Sequence, residues 1–181
     1  MNSKSWPIIF MLLPLSLGAC SKSETDKKPV EQASAVSVHD EMVTVVIPQT
    51  QAIWDVSNAS LNDEGSPDPT KVSDADWQSV KAASSALMTS LDRLATANRF
   101  LAAKPGDKIM DQDIAGAAQP KDVQARLDAN PQGFRDHAKT LSDFIKAING
   151  AAAKKDFKTF SERTAELDGA CEGCHKAYWL K

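Results

Sequence analysis

Near its C-terminus the chain carries the sequence Cys171-Glu172-Gly173-Cys174-His175. Thiols can form thioethers, disulfides or metal bonds, and a neutral imidazole can bind iron or zinc. On a helix, residues three and four positions apart lie on one surface, so both thiols reach the same neighbour. The C-x-x-C-H order is typical of covalent haem attachment. The motif therefore predicts one covalent haem c, bonded to Cys171 and Cys174, with His175 as the proximal iron ligand.

Three other interpretations of this motif are open at the level of sequence. A redox-active pair of Cys171 and Cys174 needs a βαβ context and a helix N-terminus that lowers the thiol pKa, whereas this pair lies late in the last predicted helix. A zinc site needs two further ligands, from His39, His137 or distant acids, and none of these clusters in the sequence. The third interpretation is a structural lipoprotein in which the two thiols form only a disulfide.

The N-terminus has the pattern of an export signal. Lys4 precedes an apolar run over 6–17, which is shorter than the roughly 20 residues that cross a bilayer. The run ends in Leu-Gly-Ala-Cys at Cys20, which is similar to a bacterial lipobox. We therefore expect a lipoprotein signal peptide over 1–19 and a lipid on Cys20, on the periplasmic side of a bacterial membrane. Ser21 is compatible with the outer membrane, and an ordinary cleaved signal with a free Cys20 is the alternative.

The remaining chain divides into a tether and one domain. Residues 20–36 are mostly polar and charged, which predicts a flexible tether. Residues 37–181 are enough for one domain with a core. The formal net charge of −3 gives no electrostatic footprint for nucleic acid. A lipid on one cysteine and two thioethers would use all three cysteines of the chain.

Two long helices are predicted in the first half of the domain. Apolar residues recur at helical spacing over about 38–58, but Pro48 lies inside this run and lacks the N–H of a helical hydrogen bond. We expect a kink at Pro48, or a helix that begins again there. A second helix is expected from Ser73, an N-cap residue followed three positions later by Asp76, to about Leu101.

Two more long helices are predicted in the second half, after a short helix over 121–128. One runs from Asn130, which precedes a proline as at many helix starts, to Gly150, a typical stop signal. The last helix begins near Lys155 or Asp156. Its inward-facing residues are predicted to be Phe157, Phe160, Thr164, Leu167, Cys171, Cys174 and Tyr178. Four amphipathic helices with almost no strand signal predict an all-α chain, folded as an antiparallel four-helix bundle with the haem on its C-terminal helix.

With its C-x-x-C-H-x-x-Tyr ending at Tyr178, the chain resembles the cytochrome c prime superfamily, including low-spin relatives of the c556 type. The resemblance covers about 37–180, and the first helix, with methionine, proline and tryptophan in that order, is also similar. It carries over three positions: Cys171 and Cys174 as thioether sites and His175 as proximal ligand. Many members have a basic residue after the tyrosine, where this chain has Trp179, so the electrostatic role of that residue is not carried over.

The resemblance makes the sixth iron position decisive for function. Family members with an apolar side chain there have five-coordinate iron that binds small gases, whereas a methionine gives a six-coordinate electron carrier. Met42, early in the first helix, is the candidate distal ligand, and a thioether ligand raises the reduction potential. His39 is a rival ligand, Met88 and Met110 are weaker candidates, and His137 is expected to face solvent.

These observations predict a monohaem c-type cytochrome with His/Met-ligated iron that carries single electrons in the periplasm. The alternative is a five-coordinate haem protein that binds NO or CO. The carboxylates are scattered along predicted solvent faces and form no catalytic constellation, so we expect no enzyme activity. The expected partners are periplasmic redox proteins and the membrane that holds the lipid, with no nucleic acid, and the resemblance implies a homodimer, as family bundles often pair.

Overall fold

Most of the residues that the structure describes are helical, which confirms the predicted all-α class. The structure is a computed structural model, and it describes residues 35–179. The predicted signal peptide (1–19) and Cys20 lie outside these residues. So does the predicted tether (20–36), apart from its last two residues, of which Val36 already belongs to a short strand.

Helices and two short strands alternate with loops along the described residues. The helices are α1 (Val38–Glu41), a π-helical segment (Met42–Val46), α2 (Ile47–Ala59), a 3₁₀ helix (Pro69–Lys71), α3 (Asp74–Thr96), α4 (Pro120–Ala129), α5 (Pro131–Lys154) and α6 (Phe157–Tyr178). The strands β1 (Val36–Ser37) and β2 (Phe100–Leu101) pair in parallel. The first three helical segments are continuous, and together they make up the first helix.

The first helix accommodates Pro48 through a turn of π-helix rather than a break. Because proline has no N–H, the helical hydrogen bond that residue 48 would donate is missing. The π-helical segment ends just before Ile47, and the Ile47 N–H bonds to the carbonyl of Met42, five residues back. The kink or restart predicted at Pro48 is therefore a change of helical register that includes Met42. Single π-helical turns occur often at functional sites.

Helix α3 begins where the sequence predicts and ends earlier. Ser73 and Asp76 form a reciprocal capping box, with the Asp76 N–H donating to Ser73 Oγ at 3.2 Å and the Ser73 N–H donating to Asp76 Oδ2 at 2.8 Å. The helix does not extend to Leu101, because the backbone becomes extended at Ala97. Arg135 of α5 donates to the Ala97 carbonyl at 2.8 Å, so a residue distant in sequence satisfies this helix end.

Helix α5 starts at the predicted cap and runs past the predicted stop. The Asn130 side chain accepts from the Gly133 N–H at 2.9 Å. Gly150 was expected to end the helix and does not, because the helix continues to a left-handed cap at Lys155, with φ of 54°. Helical backbone beyond Gly150 buries Ala151 and Ala152. Their burial offsets the cost of about 1 kcal/mol for a glycine in a helix interior.

The core lies where the long helices meet. Helix α3 packs against α2 and α5, and α5 packs against α6. Phe160 of α6 is fully buried and meets the Trp77 ring edge-on, with ring centroids 5.4 Å apart. Leu167, one turn before the cysteine motif, is also fully buried. Helix α6 also contacts α2 and α4.

Candidate functional site

The cysteine motif occupies the C-terminal turns of α6. This helix is capped by Asp156, whose side chain accepts from the Thr159 N–H at 3.2 Å. Cys171 and Cys174 are half-buried and pack against the core, as the helical spacing predicts, whereas His175 is exposed. Both cysteines are free thiols in the structure.

Tyr178 fastens the end of α6 to the start of α5. Its buried ring meets Phe134 edge-on at 5.2 Å, and Phe134 in turn meets Phe100 at 4.8 Å. The Tyr178 hydroxyl donates to the Asn130 carbonyl at 2.8 Å. A buried hydroxyl that finds a partner avoids the cost of an unsatisfied polar group. The tyrosine of the sequence motif thus fixes the position of the cysteines and histidine just before it.

Gly133 is required for this contact, and we expect Gly133→Ala to loosen it. A Cβ at Gly133 would lie 2.7 Å from the Tyr178 hydroxyl and 2.3 Å from the Asn130 amide nitrogen. Overpacking of this kind costs about 1–3 kcal/mol of unfolding free energy, measurable by urea unfolding. Gly150→Ala is the matched control in the same helix, since nothing beyond the adjoining residues and backbone of that helix lies within 4 Å of its Cβ. It should stabilise the protein by up to about 1 kcal/mol, and equal effects of the two variants would contradict the proposed contact.

A cavity of about 450 Å³ separates the first helix from the end of α6. Its size lies within the range of about 300–1,000 Å³ that is usual for cofactor sites. It brings together the four residues that the sequence singles out for iron and haem binding: Met42, Cys171, Cys174 and His175. Its other lining residues are Val38, His39, Val43, Val46, Ile47, Thr50, Gln51, Trp54, Met110, Asp111, Val123, Leu127, Phe134, Asp168, Glu172, Tyr178 and Trp179.

The cavity wall includes apolar side chains that the chain itself leaves uncovered. Val43, Ile47 and Met110 are 42%, 45% and 57% exposed, and they are three of the four large apolar residues found exposed in the described part of the chain. Apolar surface gathered at one cavity is typical of a surface that binds a ligand or a partner. Val43 and Ile47 were not among the predicted site residues, because they lie beside the predicted inward face of the first helix. Their four-residue spacing nevertheless marks a second apolar stripe.

Burial keeps the two cysteines as neutral thiols. It raises the pKa of Cys174 to about 12, and burial together with the nearby Asp168 carboxylate raises the pKa of Cys171. A redox-active pair needs a lowered thiol pKa, and zinc binds the thiolate. The environment is therefore the reverse of what those two alternatives require, whereas a thioether carries no proton.

The raised pKa of Cys174 predicts an alkaline loss of stability in the haem-free chain. The folded state holds the Cys174 thiol proton more tightly than the unfolded state, so this proton contributes to the free energy of unfolding. The contribution is complete below pH 9.0 and is lost as the pH rises toward about 12. Urea unfolding at increasing pH would measure this slope. The slope should decrease in haem-free Cys174→Ser and in haem-loaded protein, and an unchanged slope in both would contradict the assignment.

The other candidate ligands have distinct surroundings. His39 lines the large cavity, and its Nδ1 is buried without a hydrogen-bond partner, 3.6 Å from Asp40 Oδ1. Among the described residues, the one group of His, Cys, Asp and Glu atoms with metal-like spacing is His39, Asp40 and Asp107. It includes neither cysteine, and the Lys104 ammonium already pairs with Asp40. This arrangement gives no support to a zinc site at the cysteine motif.

The sequence predicts that His137 faces solvent, and this prediction is wrong. It is half-buried, and its ring meets Tyr178 edge-on with centroids 6.0 Å apart. It lines a second, small cavity of about 40 Å³ together with Met42, Cys171, Cys174 and His175. Packing against α6 covers this position, which single-helix periodicity does not show.

Comparison of the chain with protein-family models, with curated proteins and with solved structures found no match. None of the helices in 35–179 combines the length and the apolar character that a membrane span requires. The motif and the geometry of the cavity therefore carry the functional assignment.

Proposed function

We propose that the protein is a monohaem c-type cytochrome, which carries one electron at a time and is not itself an enzyme. The observation that carries this proposal is the cavity of about 450 Å³ that gathers Met42 with Cys171, Cys174 and His175. A thioether sulfur, two thiols and an imidazole from opposite ends of the domain line one apolar space. This is the residue set that His/Met-ligated haem c requires.

We infer that the four long helical stretches form an antiparallel four-helix bundle. In such a bundle each helix packs against the next one along the chain. Helix α3 packs against α2 of the first helix and against α5, and α5 packs against α6. The two residues between α5 and α6, Lys155 and Asp156, are a connection short enough to favour antiparallel neighbours. In this arrangement the first helix and α6 face each other across the cavity.

The residues present fit a covalently attached porphyrin. Cys171 and Cys174 lie three positions apart on one side of α6, half-buried in the cavity wall, where both can bond to one porphyrin edge. Val43 and Ile47 offer apolar surface opposite them. When bound, haem supplies a metal centre that accepts and releases one electron.

The side chains of this chain would determine the ligands and the solvent access of that centre. His175 is exposed in the cavity wall and is free to act as proximal ligand. Met42 is half-buried in the first helix, where a neutral thioether would favour the reduced iron and raise the potential. The apolar first helix would exclude water, so that the iron centre transfers electrons without opening to ligands.

The export signal supports a place for this cytochrome on the periplasmic side of a bacterial membrane. A lipid on Cys20 would hold the domain there, and periplasmic redox proteins would be its electron donors and acceptors. The polar residues of 20–36 would give the domain reach from the membrane surface.

Expression of the full chain in a host that matures c-type cytochromes tests this proposal. The purified protein should exceed the mass of its polypeptide and lipid by one haem, and the haem should survive denaturing electrophoresis. The ferrous spectrum should be low-spin and change little on addition of carbon monoxide. A high-spin ferrous form that binds carbon monoxide readily would favour the gas-binding alternative, and absence of covalent haem would refute both.

A further inference from the structure

Glu41 is a buried carboxylate immediately before Met42. Its side chain is 9% exposed, and its two oxygens have separate partners on α3. Ser90 Oγ donates to Glu41 Oε2 at 2.6 Å, and Arg93 Nη1 donates to Glu41 Oε1 at 2.5 Å. Ser90 is itself buried, whereas the Arg93 side chain is 55% exposed. The carboxylate therefore joins the first helix to α3 from inside the packed region.

Folding stability alone is a poor explanation for the burial of the Glu41 carboxylate. Taking a carboxylate out of water is costly, and a well-packed apolar residue at such a position is often equally stable or more so. A charged pair with two directional hydrogen bonds does impose a geometry that apolar contacts do not. At Glu41, it fixes both the rotation and the height of α1 against α3.

The constraint acts at the point where the helix changes register. Glu41 is the last residue of α1, and the π-helical segment begins at Met42. On the C-terminal side of Met42, the Ile47 N–H donates to the Met42 carbonyl, and Pro48 follows directly after Ile47. Met42 thus lies between a buried ion pair and a proline-associated turn, and neither contact involves its own side chain.

We propose that Glu41 is a positioning residue for Met42, which it holds, through Ser90 and Arg93, at the distance and rotation needed to bind the haem iron. The inference rests on the proposed function and adds to it the device that selects six-coordinate iron. Without Glu41, α1 would be able to rotate or shift on α3, and Met42 would no longer be held in place as an iron ligand. The iron would then be open to external ligands in a fraction of the molecules.

The test compares Glu41→Ala with Ser142→Ala in the haem-loaded protein. Ser142 of α5 is buried and donates to Asp92 Oδ1 of α3 at 2.9 Å, so it makes a similar polar link, but between α5 and α3. Three quantities would be measured for each: the methionine–iron absorbance band of the ferric form, the carbon monoxide affinity of the ferrous form, and the hydrogen exchange of amides 42–47. Thermal unfolding would report general destabilisation.

Glu41→Ala should weaken the methionine–iron band, tighten carbon monoxide binding by about tenfold or more, and speed exchange of amides 42–47. The affinity rises because apparent binding scales with the fraction of iron that Met42 leaves open. Glu41→Gln, whose amide oxygen can accept from Arg93 while its NH2 group donates to Ser90 Oγ, should restore most of the band. Ser142→Ala should lower the unfolding temperature and leave all three quantities near their wild-type values.

The inference is overturned if Glu41→Ala retains the wild-type band and affinity, or if Ser142→Ala changes them equally. Met42→Ala distinguishes this failure from failure of the proposed function. If Met42→Ala opens the iron but Glu41→Ala does not, Met42 is a ligand and Glu41 does not position it. If neither variant changes the spectrum, His/Met ligation itself is wrong.

Discussion

Met42→Ala is expected to convert a closed, low-spin haem centre into an open, high-spin one. Alanine has no sulfur to offer the iron, and its neighbours in the cavity wall, Val43 and Val46, carry no ligand atom. The methionine–iron band should disappear, and ferrous protein should bind carbon monoxide at least about tenfold more tightly than wild type. The reduction potential should fall, because a thioether ligand favours reduced iron.

Met88→Ala is the matched control for this substitution. Met88 is half-buried in α3 and lines neither of the two cavities, so its loss removes a similar side chain without touching the site. Its spectrum should stay that of wild type. If wild-type protein already binds carbon monoxide as well as Met42→Ala does, Met42 is only a packing residue and the gas-binding alternative is favoured. If His39 were the ligand, Met42→Ala would leave a low-spin spectrum.

Features that depend on short-range interactions could be predicted from the sequence. Helix caps depend on residues two or three positions away. Ser73 and Asn130 are found as the predicted N-caps, and α6 begins after Asp156, as the predicted start near Lys155 or Asp156 requires. Gly150 was predicted to end α5 and does not, because burial of the alanines after it depends on other helices. The end of α3 depends in the same way on Arg135, which comes from α5.

The residues of the candidate site also differ in whether short-range sequence patterns predict them. The C-x-x-C-H motif is local, and the sequence alone places Cys171 and Cys174 on an inward helix face. Met42 was chosen through a family resemblance, and the structure brings it to the same cavity as the motif. The buried link from Glu41 to α3 has no sequence signal, because its partners lie 49 and 52 positions away and a lone glutamate usually faces solvent.

The same contrast explains the aromatic residues. Trp54 and Phe134 line the large cavity, whereas Trp77 and Phe160 pack against each other in the core. All four occur at helical spacing, so periodicity identifies an inward face but not which inward space a side chain enters. That choice depends on how the helices are paired, which is a property of the whole domain.

Replacing both Cys171 and Cys174 by serine is expected to abolish covalent haem completely. A thiol adds across a porphyrin vinyl group to form a thioether, and a serine hydroxyl does not form this bond under the same conditions. Haem staining after denaturing electrophoresis should be lost, and the mass should equal that of the polypeptide and its lipid. Each single variant should keep at most one thioether, with weaker staining and lower yield.

The third cysteine of the chain, Cys20, provides the control, since its expected role is to carry the lipid and not to form a thioether. Cys20→Ser should release the protein from the membrane and leave haem staining intact, because only the lipid is lost. The reverse pattern should hold for the double variant, which remains membrane-bound and unstained. Wild-type protein without haem, in which Cys171 and Cys174 are joined by a disulfide, would instead establish the structural-lipoprotein interpretation. Substitutions at Cys171 and Cys174 thus test attachment of the cofactor, and substitution of Cys20 independently tests attachment of the protein to the membrane.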